Sequence, residues 1–132
     1  MKCKLTIIGM VIMLSAALSS CSGKENDMAE KKSPADKGDH VVTFVELGSE
    51  NCIPCKMMKP VMKKVEEKYG SQVRVVFHDV GTSEGRPYAQ SYSIRVIPTQ
   101  VFLNKDGREY YRHEGFFPFD EIEKVLKKQG VQ

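Results

Sequence analysis

ENCIPCKMMKP, residues 50–60, puts two cysteines three positions apart where one sequence pattern ends and another begins. Before it lies VVTFVEL, residues 41–47, a β-branched and aromatic run that reads as a buried strand. After it, Met58, Val61, Met62, Val65 and Tyr69 recur at helical spacing, with Lys63, Lys64, Glu66 and Glu67 opposite. The spacing predicts a helix from Ile53 to Tyr69, kinked at Pro60 and stopped at Gly70. A Cys-x-x-Cys at a strand-to-helix junction is suited to redox chemistry. The helix's opening N–H groups carry partial positive charge and favour a thiolate at the first cysteine. The second, one turn further in and shielded, can attack a mixed disulfide formed by the first. Cys52 is therefore the candidate nucleophile and Cys55 the resolving thiol, with Lys56 adding positive charge nearby.

The remaining chain bounds that chemistry. A length of 132 residues suits one domain at most. Residues 1–20 do not belong to it: Lys2 and Lys4 precede an uncharged apolar run from Leu5 to Leu18, then Ser19 and Ser20, as in a secretory signal peptide. That run is shorter than the roughly 20 residues a transmembrane helix needs. Residues 22–40 hold Met28 as their one large apolar residue and read as a flexible tether. The domain is then 41–132, with no internal repeat. Net charge is +3 overall, and removal of Lys2 and Lys4 leaves 18 basic residues against 17 acidic ones, so nothing suggests nucleic acid. Cys3 departs with the leader. Beyond the cytoplasm a disulfide can persist.

Two rival readings of the pair remain. Zinc takes four ligands, typically two such pairs or a pair with closely spaced histidines. The chain past the leader has no second close Cys pair, and His40, His78 and His113 are far apart. The other rival is an inert structural disulfide.

Downstream, Val73–Phe77 reads as a second strand and Pro87–Tyr92 as a short helix. Thr99–Leu103 and Glu109–Arg112 flank Asn104-Lys105-Asp106-Gly107, a hairpin turn with Gly where positive φ is needed. A last helix is expected from about Pro118 to Gln129, with Phe119, Ile122, Val125 and Leu126 as its stripe. Asp120 and Glu121 lie in its first turn and Lys127 and Lys128 in its last, as the helix dipole prefers. The order β-α-β-α-β-β-α implies an α/β sandwich with a mixed four-stranded sheet and helices on both faces. GTSEG, residues 81–85, matches G-x-S-x-G, and Asp106 and His113 follow in hydrolase order. A 92-residue domain is too small for that fold, so ordinary loop composition is the better reading. Met57, Met58 and Met62 are taken as core residues, and Phe116-Phe117-Pro118-Phe119 as a closing turn at the core's edge.

Two family resemblances add to this. LSSC, residues 18–21, resembles the lipobox of bacterial lipoproteins, which implies a lipidated Cys21 and a stable membrane anchor. CIPCKMMKP after Val45-Glu46 resembles the active-site strand, C-x-P-C-K-M motif and kinking proline of the thioredoxin family. Tyr92-Ser93-Ile94-Arg95-Val96-Ile97-Pro98-Thr99 resembles that family's Y-x-I-x-x-I-P-T segment, and Asn104–Gly107 its hairpin. The similarity spans roughly 41–129. It implies a thioredoxin-like sandwich and a thiol–disulfide oxidoreductase whose only redox group is the Cys52–Cys55 disulfide, with no metal or other cofactor.

Carried over residue by residue, the resemblance makes Glu46 the buried carboxyl that takes the resolving cysteine's proton. Pro98 becomes the cis-proline beside the disulfide, and Ile97 presents backbone to an extended substrate. Asn51, Ile53 and Pro54 join Ile97 as the substrate-meeting surface. Asn51 stands where the family usually has tryptophan, and the chain has no Trp. The family's leading strand and helix are replaced by the tether, and the loop Val80–Arg86 is longer. The expected protein is a monomeric, lipid-anchored, extracytoplasmic reductase, in the periplasm or at the cell surface. Its partners would be exported protein disulfides, apocytochrome c among them, and a membrane thiol electron donor. A disulfide oxidase or isomerase, and a non-enzymatic chaperone or adaptor, stand as alternatives.

Overall fold

The computed structural model describes residues 40–132. The leader, Cys21 and residues 21–39 of the expected tether lie outside the described residues. Seven elements follow in the expected order: β1 (Val42–Gly48), α1 (Ile53–Tyr69), β2 (Val73–Asp79), α2 (Arg86–Ser91), β3 (Thr99–Asn104), β4 (Glu109–Glu114) and α3 (Phe119–Lys127). The sheet runs β2-β1-β3-β4, with β1 and β2 parallel and the other pairs antiparallel. β1 is thus central, and its side chains alternate between two covered faces.

On one face Val42 and Phe44 pack with Met58, Met62, Val65 and Tyr69 of α1, Phe102 of β3, and Phe117, Ile122, Val125 and Leu126 at the chain's end. Phe44 and Phe102 stack across the strands with ring centroids 4.8 Å apart. On the other face Val45, Leu47, Val101 and Leu103 meet Val76, Val80, Tyr92 and Ile94. Burial on both faces explains why β1 reads as a near-continuous apolar run.

α1 spans Ile53–Tyr69 as expected, with Pro60 inside it. Other details depart from expectation. Met57 is exposed, not core, because the stripe Met58-Met62-Val65-Tyr69 faces the sheet and its neighbour points about 100° away. α2 begins at Arg86 and leaves Tyr92 as its C-cap. α3 closes at Lys127, two residues short of Gln129, before Gly130 takes φ +83°. Phe117 enters the core while Phe116 stays exposed. The hairpin turn is held by Asn104, whose Oδ1 accepts from the N–H groups of Asp106 and Arg108, and Gly107 supplies φ +78°. In the GTSEG loop the Ser83 hydroxyl bonds Glu84, while His113 lies on β4 against Phe116 and Phe117. The hydrolase-like residues are not assembled into a relay.

Candidate active site

β1 delivers the chain to the top of the sheet, and a short turn sets α1 across it. Cys52 N–H donates to Ser49 O and Asn51 N–H to Ser49 Oγ. Asp79, at the end of β2, steadies the same turn: its Oδ2 accepts from Glu50 N–H and its Oδ1 from Gly81 N–H. Cys52 then caps α1 itself. Its backbone is extended (φ −99°, ψ 123°), and its Sγ accepts from Cys55 N–H at 3.3 Å. Pro54 occupies the first turn, where a missing N–H costs nothing, and no acidic side chain lies there. Cysteine is an unusual cap, so the sequence pattern locates the pair but not this role.

Cys52 and Cys55 form a disulfide with Cα atoms 5.2 Å apart. Cys52 is half-buried and Cys55 only 2% exposed. On reduction, an N–H at Cys52 Sγ and the helix's positive end both favour its thiolate. Cys55 has no such donor and sits against Gly48. A Cβ on Gly48 would lie 3.2 Å from Cys55 Cβ and 3.3 Å from its Sγ. Gly48 is thus a site residue that the motifs missed. Its signal was a glycine closing a strand directly before the cysteines, where backbone approaches something closely.

Glu46 lies two residues back on the same face, about 7 Å down the strand from Gly48. It is fully buried, and neither carboxyl oxygen has a hydrogen-bond partner. Burial pushes its pKa from 4.5 up to about 8, and the neighbouring Gln100 side chain pulls the other way. Gln100, its partner in the β1–β3 register, is also fully buried with both amide atoms unpaired. Each such atom carries a desolvation penalty of about 1–3 kcal/mol. Two polar side chains facing each other inside an apolar layer are the least locally consistent feature of the domain.

The Ile97–Pro98 peptide bond is cis. Leu47 pairs with Thr99, so Pro98 stands one step beyond that pair, level with Gly48 and at the disulfide's end of the sheet. Pro98 is buried. Its carbonyl accepts from Gly115 N–H at 2.8 Å, and Thr99 Oγ1 donates to Val96 O at 2.7 Å, tying the cis turn to both sides. Ile97 and Val96 remain exposed, as do Asn51, Pro54 and Ile53, the last at 74%. The fold therefore gathers Cys52, Cys55, Glu46 and Pro98 at one end of the central strands. Asn51, Ile53, Pro54 and Ile97 lie exposed around them. The histidines do not converge: His78 stacks on Tyr88 and His113 on Phe117. Among the described residues, no three His, Cys, Asp or Glu side chains form a metal-holding group.

Residues 26–130 match the family model of the thioredoxin-like domain. Thioredoxin 1 of Synechococcus elongatus is 33% identical over 88 residues, covering 67% of this chain and 79% of that protein. Thioredoxin of Bacillus subtilis is 32% identical over 87 residues, covering 66% and 81%. Among solved structures, a mutant thioredoxin from Halobacterium salinarum superposes with a TM-score of 0.63 at 24% identity, covering 71% of this chain and 78% of that one. A chloroplastic thioredoxin z superposes at 0.61 with 26% identity, covering 70% and 80%.

Proposed function

This chain belongs to the thioredoxin-like family of thiol–disulfide oxidoreductases, and from that premise we propose that it is a membrane-tethered reductase working outside the cytoplasm. The observation that carries the redox reading is the disulfide at the mouth of α1, with Cys52 half-exposed on an N–H and Cys55 buried on Gly48. That asymmetry supports a division of labour. The Cys52 thiolate attacks one sulfur of a substrate disulfide, forming a mixed disulfide and expelling the other sulfur as a thiolate. Cys55 then loses its proton to the Glu46 carboxylate and attacks Cys52 Sγ. The substrate leaves with both sulfurs reduced, and the pair is left oxidised. The cis-proline turn, with Ile97 exposed beside it, offers an extended substrate segment its backbone groups.

The leader and LSSC at 18–21 support export and lipidation at Cys21. Pro54 in the motif and Ile97 before the cis-proline, which resemble the reducing members, support the reductive direction. The substrates proposed are disulfides of exported proteins, apocytochrome c among them. Each turnover consumes two electrons, so a membrane thiol donor must restore the dithiol. Equilibration against glutathione should place the couple near the thioredoxin value of about −270 mV; a value near about −120 mV would reverse the direction. Cys55→Ala should trap exported substrates as mixed disulfides in cells. Cys21→Ser should abolish metabolic lipid labelling, and a wild type that takes up no label would remove the anchor.

A further inference from the structure

One row of side chains crosses the sheet on the face that α1 and α3 cover. Register sets Phe77 of β2, Glu46 of β1, Gln100 of β3 and His113 of β4 side by side. Directly opposed residues stand about 5 Å apart at Cβ, close enough for a glutamate and a glutamine to meet. The middle two are the buried pair whose side-chain oxygens and nitrogen all lack partners. An apolar residue at position 100 would fill the space with no polar atom to satisfy, as Phe102 does two residues on. The amide therefore needs a reason to be there.

We propose that Gln100 is a positioning residue for Glu46, its amide turning to serve the carboxyl in both protonation states. Toward the carboxylate it donates Nε2–H; toward the neutral acid it accepts the O–H at Oε1. The inference rests on the reading of Glu46 as Cys55's proton acceptor. No proton passes through the amide: the one released by Cys55 ends on Glu46. Bonds to a charged acceptor are the stronger kind, so the amide favours the carboxylate over the acid. It keeps a buried carboxyl able to ionise, and hence able to act as a base, near neutrality. The other titratable groups of this layer are Cys55 of α1, reached past Gly48, His113, on the far side of Gln100, and Tyr69, Tyr110 and Tyr111 of the apolar cluster. β2 offers Phe77 and α3 offers Ile122, Val125 and Leu126. The His113 ring is stacked on Phe117, with Nε2 3.2 Å from Phe116 O, which leaves Gln100 as the neighbour that brings Glu46 an N–H.

The test is a direct titration of the Glu46 carboxyl carbon by NMR in the oxidised protein, where neither Cys52 nor Cys55 titrates. Gln100→Met keeps the side chain's length and removes the amide. The midpoint should rise by about one pH unit, a tenfold tighter hold on the proton, and the pH at which mixed-disulfide resolution accelerates should rise with it. An unchanged midpoint overturns the proposal. Should that variant fail to fold, the wild type carries the test. The Gln100 side-chain amide resonances should then move with the Glu46 midpoint and become pH-independent in Glu46→Gln; amide signals indifferent to that midpoint overturn it equally. If the coupled titration holds while Glu46→Gln leaves resolution at full rate, the base role falls and the pairing stands.

Discussion

Replacing Glu46 by glutamine should turn a pH-dependent stability into a flatter one. The carboxyl is fully buried without a hydrogen-bond partner, and its pKa is pushed from 4.5 up to about 8. The same side chain in the unfolded chain ionises near its ordinary value, about 4.3. Between those two pH values the native state keeps a proton that the unfolded state has released. Raising the pH therefore favours unfolding, by about 1.4 kcal/mol per pH unit for this one group. The stability is fully present below about pH 4.5 and is lost as the pH rises to about 8, opposite in sign to a salt-bridged carboxylate. Across that interval of about 3.5 pH units the loss reaches about 5 kcal/mol, and at pH 7 it is about 3 kcal/mol. Against a typical domain stability of about 5–15 kcal/mol, that is a large effect. Glutamine has nearly the same shape and cannot ionise. Every other titrating group is shared by the two proteins, so their difference isolates Glu46. Urea unfolding of the oxidised proteins at pH 5, 7 and 8.5 is the assay. The variant should lead by about 1 kcal/mol at pH 5, about 3 kcal/mol at pH 7 and about 4–5 kcal/mol at pH 8.5. A gap that stays constant with pH would refute the reasoning, because the folded carboxyl would then ionise where an exposed one does.

Gly48→Val would push a branched side chain onto Cys55, whose Cβ already lies 3.2 Å from the nearest added atom, and should cost about 1–3 kcal/mol in the urea unfolding of the oxidised protein. In the reduced protein near neutral pH, Cys52 should be alkylated well before Cys55, with a pKa below the free value of about 8.5; peptide mapping that finds Cys55 labelled first would exchange the two roles.

What could be read from the chain divides by how local each cause is. The strand before the cysteines, the helix after them and the Asn104–Gly107 turn each follow from a few consecutive side chains, and each stands where expected. Adjacent Met57 and Met58 show the limit of that reading. Both are apolar, and only the phase set by Met62, Val65 and Tyr69 decides which one faces the sheet. The Cys52–Cys55 pair was legible because four residues contain it. Its support was not, since that depends on which strand lies beside which and in what register. Glu46 came into view by resemblance to a family. Gln100 did not, although a lone amide within Thr-Gln-Val-Phe-Leu is a polar residue where a buried strand wants none. Fifty-four positions separate Glu46 from Gln100, and only the β1–β3 register turns two isolated irregularities into one facing pair. An apolar pair at those positions would satisfy every packing rule the domain otherwise obeys. Folding stability alone does not account for a buried carboxyl and amide at those positions, and the proton chemistry proposed beneath the disulfide would.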